Sequence, residues 1–426
     1  MVLGSVPCGT GLCDTGNVAW VMTATALVMI MTPGLGFFYG GLVRRKNLVS
    51  TIVQCMAIFG VVSIAWALWG YSLAFGPSML NGFIGNPITF FGLNGVGASP
   101  DINYSATIPA LLYFAFQLKF AAITPALIIG AFAGRIRFKP LLIFILAWVT
   151  FVYFPVAHWI WGVGGWMHTM GVEDFAGGMV VHTTAGVSAL AAALVIGRGV
   201  DFGKESRPNN VPYVILGTAI LWFGWFGFNG GSSLAADSVG VNALVTTNLA
   251  AAGGGIAWML VDWFRKGKPS AVGMCIGFVC GLAAVTPASG FVGPMFGLLI
   301  GVVAGIGCNF VSNWRARTKL DDSLDVFACH GVGGMWGTVA TGLFASSAIN
   351  AAGSDGLIYG WGAGGPHFAA LQMFAVAIVA TFSFIGTYVI LRVIDYFSPL
   401  RTSAEEERAG LDEVHFGEEA YYPASE

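Results

Sequence analysis

Long apolar runs broken by short polar islands make up most of the chain. A bilayer core takes roughly 20 apolar residues per helix. Cutting the sequence at its polar islands leaves eleven runs of that order, at 17–41, 48–75, 107–133, 140–161, 174–197, 212–232, 240–264, 270–289, 291–313, 326–346 and 367–392. The runs are continuous, without the short alternating segments of a membrane β-barrel. The pattern predicts an all-α integral membrane protein with eleven transmembrane helices.

Composition points the same way. Of 426 residues 56% are apolar and only 9% charged, with a mean hydropathy of +0.77. That charge fraction is about a third of what a soluble domain uses, too little to cover a water-facing surface. A net charge of -2 offers no basic excess to nucleic acid, which is not expected as a partner. The 61 glycines suit close helix packing in lipid.

The cations orient the bundle. Arg44, Arg45 and Lys46 follow the first run, and Arg135, Arg137 and Lys139 the third. Arg198, Lys204 and Arg207 follow the fifth, Arg265, Lys266 and Lys268 the seventh, Arg315, Arg317 and Lys319 the ninth, and Arg392, Arg401 and Arg408 the last. These are 18 of the 19 Lys and Arg residues, all after odd-numbered runs. The positive-inside rule then puts the N-terminus outside and the C-terminus in the cytoplasm, dividing the chain into a transmembrane domain, 1–392, and a cytoplasmic tail, 393–426. No signal peptide is read before the first run. GLGFFYGG (34–41) and GWFGFNGG (224–231) end the first and sixth runs, so the halves form an inverted five-helix repeat, an arrangement that places a transport site near the midplane. Cys8 and Cys13, in the outer N-terminal stretch, read equally as a disulfide or as two free thiols. Cys55, Cys275, Cys280, Cys308 and Cys329 read as packing residues.

Polar groups inside lipid are costly and therefore informative. Asp174, His182, His330 and Lys119 stand out. At 1.5 Å per residue His182 lies about 12 Å deeper than Asp174, near the middle of a core about 30 Å thick, and His330 about 7 Å in from the cytoplasmic side. One membrane histidine reads as an interhelical hydrogen bond. Two at adjoining depths in repeated halves read as groups that meet a small polar solute or a proton. His158, His168 and His182 lack metal-ligand spacing, so no metal is expected. GxSxG, HExxH and GxxxxGK[ST] are absent from the sequence, so neither an enzyme nor a cofactor is expected. Phe116 and Phe120 share a helix face, while Trp161, Trp225 and Phe228 lie toward outer helix ends. Such rings read either as interfacial and core packing or as faces that collect a small cation.

The motifs TPGLGFFYGGLVRRKN (32–47), DFAGGMVVH (174–182), WFGFNGGS (225–232), GKPS (267–270), VTPASG (285–290), DVFACHGVGG (325–334) and GLDEVHFGEEAY (410–421) occur in order. Together they resemble the ammonium transporter family (Amt/Mep/Rh), on the Amt side. The resemblance implies an outer ammonium recruitment site at Trp161, Ser232, Phe120 and Asp174, a gate formed by the stacked Phe120 and Phe228, and a pore lined by the twin histidines His182 and His330. It puts Phe116, Gln117 and Trp225 near the outer mouth. It further implies a homotrimer in the inner (plasma) membrane, a role in nitrogen metabolism, and a tail that meets a PII-type nitrogen-signalling protein. Asp174 also reads as a helix N-cap. The alternatives are an ammonium-binding sensor with little or no transport, and an Rh-like gas channel, against which Trp161 argues. Lys119 departs from the family, which usually has a small or uncharged residue there. Three readings stand for it: a charge tolerated at a subunit contact or vestibule wall, a paired structural charge, or a fixed charge that blocks conduction.

Overall fold

The computed structural model describes residues 4–204 and 207–421; the end of the expected tail, 422–426, lies outside them. The apolar runs become helices within a few residues of their expected ends. These are α1 (Thr15–Leu42), α2 (Leu48–Ala65, continued through 66–75), α3 (Ala110–Ile128), α4 (Phe138–Trp148, continued through 149–161) and α5 (Gly178–Thr183 and Thr184–Ile196). After them come α6 (Val211–Gly230), α7 (Ser238–Lys266), α8 (Ala271–Val285), α9 (Pro294–Arg315), α10 (Phe327–Val332 and Gly333–Phe344) and α11 (Gly365–Phe397). Among the described residues nine helical segments are long and apolar enough to cross a membrane. The 15-residue α8 is shorter, and α10 divides into a six-residue π turn and a 12-residue helix.

Small residues let the helices approach closely, the packing device available where lipid is as apolar as the helix surface. A Cβ on Gly217 of α6 would come within 2.3 Å of the Phe38 amide nitrogen on α1, so this contact tolerates no side chain.

The all-α expectation misses three short antiparallel hairpins among the described residues: Ser5–Cys8 with Gly11–Asp14 before α1, and, between α2 and α3, Ser78–Met79 with Ile84–Gly85 and Pro100–Asp101 with Ser105–Pro109. Strands this short carry no apolar periodicity to read. The first is closed by a Cys8–Cys13 disulfide, with Cα atoms 5.6 Å apart, which decides between the two readings of that pair. The other five cysteines are free and buried.

Opposite that hairpin the basic triplets meet acidic partners. Arg44 pairs with Asp201 at 2.7 Å, the buried Arg135 with Asp321 at 2.7 Å, and Arg315 with Asp325 at 2.8 Å. Loops far apart in sequence thus converge on one end of the bundle. The tail closes over this end with two short helices, α12 (Ala404–Ala409), opened by a Ser403/Glu406 capping box, and α13 (Leu411–Phe416). Glu407 is buried, pairs with Arg401 at 3.0 Å and accepts from the Val200 amide at 2.8 Å. Asp412, also buried, accepts from the amides of Val49 and Ser50 at 3.0 and 2.7 Å. It supplies the side-chain cap that α2 lacks within its own segment.

Losing a helix cap costs about 1 kcal/mol. Asp412→Ala should therefore lower the melting temperature of detergent-solubilised protein slightly and accelerate protease cleavage of the tail. A tail that is cut no faster than in wild type would show that this contact does not hold it.

Candidate functional site

The two histidines expected to act together do meet. His182 and His330 are buried, their rings are stacked with centroids 5.3 Å apart, and their Nδ1 atoms are 3.3 Å apart. Such a hydrogen bond needs one donor and one acceptor, so one of the two Nδ1 atoms carries no proton. The second ring nitrogen of His182, Nε2, is buried and has no hydrogen-bond partner among the described residues.

Both histidines sit in π turns, Gly178–Thr183 and Phe327–Val332. Single π turns inside α-helices often mark functional positions, and nothing in the hydrophobic period announces them. Glycines bring the two turns together: a Cβ on Gly186 would lie 1.9 Å from the Gly331 amide nitrogen.

Asp174 organises the start of α5. Its Oδ1 accepts from the amides of Gly177 and Gly178 at 2.9 and 2.6 Å, and its Oδ2 from those of Met179 and Val180 at 2.7 and 3.0 Å. Gly177 makes this possible by adopting φ 108°, which side-chain-bearing residues rarely reach. The carboxylate is thus committed to backbone donors, as the capping reading requires. Its main-chain carbonyl accepts from the indole of Trp161 at 2.8 Å.

Asp322 repeats this device and escaped the sequence reading. It is buried and accepts from the amides of Val326 and Phe327 at 3.1 and 2.8 Å, at the head of the turn carrying His330. Burial, then the charge of Asp325, pushes its carboxyl up to about 6. An aspartate eight residues before each histidine, 174 to 182 and 322 to 330, was the available signal.

Ring contacts run without a break from the half-buried Trp161 to the histidines. Trp161 meets Phe120 edge-on at 5.9 Å, Phe120 lies 4.2 Å from Phe228, and Phe228 is stacked on His182 at 5.8 Å. Phe116 packs its edge on Phe120 at 4.9 Å. Trp225 stacks on His182 at 5.2 Å, and its indole donates to the Thr286 hydroxyl at 2.9 Å. Ser232, half-buried, donates to the Phe228 carbonyl at 2.8 Å. Gln117 is turned to the Tyr113 hydroxyl at 3.3 Å. Below the rings lies a cavity of about 10 Å³ lined by both histidines and by apolar side chains, among them Leu35, Ile123 and Leu127.

Lys119 does not line that cavity. It is half-buried, with its ammonium over the ring of Phe59 on α2, 5.1 Å from the centroid. Among the described residues it forms no ion pair, in contrast to the paired reading, and it lies on the α2 side of its helix.

These features describe a membrane protein with an aromatic approach to a buried imidazole pair, and similarity to known proteins gives it a family. The Ammonium Transporter Family matches residues 19–421. An ammonium transporter of Bacillus subtilis is 46% identical over 407 residues, covering 95% of this chain and 98% of the relative. The crystal structure of Mep2 from Candida albicans superposes with a TM-score of 0.86 at 39% identity, over 92% of this chain and 87% of that one. A solved Sensor Amt Protein is similar at 29% identity and a TM-score of 0.85, over 94% of this chain and 98% of that one. The chain belongs to the ammonium transporter family.

Two measurements test the electrostatics beside the site. Orphaning buried amides costs about 1–3 kcal/mol each, so Asp174→Ala should lower the melting temperature far more than Asp174→Asn, which keeps one acceptor oxygen. Glu173, next to it, accepts from the Ser354 amide at 2.6 Å, and burial pushes its carboxyl from an ordinary 4.5 up to about 7. A raised carboxyl keeps its proton in the folded state while the unfolded chain releases it, so stability should fall as pH rises from about 4.5 to 7. Melting curves of Glu173→Gln should lose this slope; an unchanged slope would assign it to other groups.

Proposed function

We propose that this protein transports ammonium across the plasma membrane, collecting NH4+ at an outer aromatic site, removing its proton and conducting NH3 past the paired histidines. The observation that carries the reading is the unbroken ring path from Trp161 to His182, ending at an imidazole nitrogen without a hydrogen-bond partner among the described residues.

Trp161, Phe120 and the Ser232 hydroxyl form the recruitment site, where ring faces and an oxygen replace part of the ion's hydration. Asp174 acts there through its carbonyl, which holds the Trp161 indole, and through a buried negative charge that favours cations nearby. Phe120 and Phe228 close the passage beneath. Phe116, Gln117 and Trp225 shape its surroundings. A charged ion in an apolar passage pays a desolvation cost of several kcal/mol, and desolvation favours the neutral form of an amine. NH3 then passes with His182 Nε2 as a hydrogen-bonding partner, and the proton crosses separately along the imidazoles. Potassium cannot shed a proton, so it competes at the mouth without passing.

The same reading takes all eleven helices as spans in an inverted repeat, with the N-terminus outside and the ion-paired end cytoplasmic. The two aspartate-capped π turns, one in each half, support it. It further takes the protein to be a homotrimer, and the tail, packed under α2 and the charged loops, to be a regulatory segment that meets a PII-type protein. A sensor with little transport is the weaker alternative, because the relative named a transporter is 46% identical and the sensor 29%.

Purified protein in liposomes should give a current that follows the ammonium gradient. His182→Ala should reduce it at least about tenfold, as loss of a positioned hydrogen-bonding group does in other sites. Lys119→Ser should leave it unchanged, because that side chain faces α2. Ammonium binding without current would favour the sensor, and an electroneutral flux would remove the separate proton path.

A further inference from the structure

Three buried thiols from three helices gather behind the wall of the cavity, and the proposed conduction path uses none of them. The Sγ atoms of Cys280 on α8 and Cys329 in the π turn of α10 are 3.1 Å apart, and the Cys308 thiol of α9 lies beside Cys280. All three are free and almost fully buried, at 0%, 6% and 1% exposure for Cys280, Cys329 and Cys308. Their neighbours in sequence matter more than their burial. Val279 and His330 both line the cavity, so Cys280 and Cys329 are each next in sequence to a cavity-lining residue, on two different elements.

From this placement we infer that Cys280 and Cys329 are a peroxide-sensitive thiol pair, whose oxidation to a disulfide ties α8 to the turn that presents His330 and thereby slows conduction. The inference rests on the reading of the histidine pair as part of the path.

The chemistry closes with hydrogen peroxide as oxidant. The Cys329 sulfur, the more accessible of the two, attacks a peroxide oxygen; the O–O bond breaks, the sulfur becomes a sulfenic acid, and the leaving hydroxide takes the thiol proton as water. The Cys280 sulfur then attacks the sulfenic sulfur, an S–S bond forms as the S–O bond breaks, and a second water leaves with the Cys280 proton. Two thiols and one peroxide give one disulfide and two waters, a two-electron oxidation. Peroxide is neutral and small, the kind of solute an apolar passage admits more readily than an ion. A disulfide has an S–S length of about 2.05 Å, so bond formation draws the two elements together by roughly 1 Å. Cys329 and His330 are adjacent in the π turn, so a shift of one displaces the other. Displacements of about that size in a positioned site cost up to about a hundredfold in rate.

The test uses the full chain in liposomes, treated with hydrogen peroxide and then with dithiothreitol. Peptide mass spectrometry without reduction should find a Cys280–Cys329 linked peptide lighter by two hydrogens than its reduced parts. Ammonium flux should fall about tenfold and recover on reduction. Cys280→Ala and Cys329→Ala should keep their flux through peroxide, and Cys308→Ala, which leaves the pair intact, should respond like wild type. Absence of the linked peptide overturns the inference whatever the flux does. So does a linked peptide without loss of flux, or an equal loss in Cys280→Ala and Cys329→Ala. Should one variant fail to fold, the other and the wild-type peptide decide. Failure of the transport reading looks different, since untreated wild type would then carry no ammonium flux while the linked peptide still reports on the thiols.

Discussion

Backbone amides at the start of a helix inside an apolar bundle have no water to turn to, and that constraint governs the centre of this protein. Asp174 answers it by accepting from four successive amides, and Asp322 answers it again with two. Each carboxylate caps a helix that begins as a π turn, and each turn carries a histidine to the same place. The charge that makes this possible stays buried because its hydrogen bonds offset the loss of hydration. With the turns anchored, glycine-on-glycine contact at 186 and 331 brings the imidazoles within hydrogen-bonding distance. Remove the capping and the pair has no reason to hold its geometry.

The same interaction reaches the aromatic approach. The Asp174 carbonyl fixes the Trp161 indole, leaving the face of that ring, and not its N–H, available to a solute. Thr286 does the equivalent for Trp225 at the level of His182. Along this line the polar atoms of the large side chains are largely spent on the protein itself, so the groups left to meet a solute are ring faces, apolar walls and one imidazole nitrogen. Such an inventory supports the proposed path, in which ring faces hold a cation and a neutral species goes further.

Much of the fold was legible because lipid imposes a strict length and charge rule. Helix ends fell close to the polar islands, and basic residues far apart in sequence met acidic partners at one end of the bundle, as Arg44 and Arg135 do with Asp201 and Asp321. Less visible were features that the apolar pattern does not encode. The π turns change which way a side chain points without changing composition. Asp322 was readable only through the eight-residue spacing shared by both halves. Lys119 shows the remaining gap: helical angles put it on the flank of the Phe116 and Phe120 face, but only the neighbour at that flank, Phe59, tells which environment the ammonium meets.

That neighbour also bears on how a charge is tolerated in lipid. An ammonium over an aromatic face keeps part of the electrostatic stabilisation it had in water, at about 0.5–2 kcal/mol by position, and the side chain remains half-exposed. Lys119 therefore uses on the outside of α3 the same ring chemistry that Trp161 and Phe120 provide in the proposed recruitment site. Since Lys119 cannot leave its helix and a dissolved ammonium ion can lose a proton and move on, one interaction serves anchoring in the first case and, on the proposed path, capture in the second. The difference lies in the surroundings beyond the ring: an apolar helix surface for Lys119, and for the ion the proposed passage leading past His182.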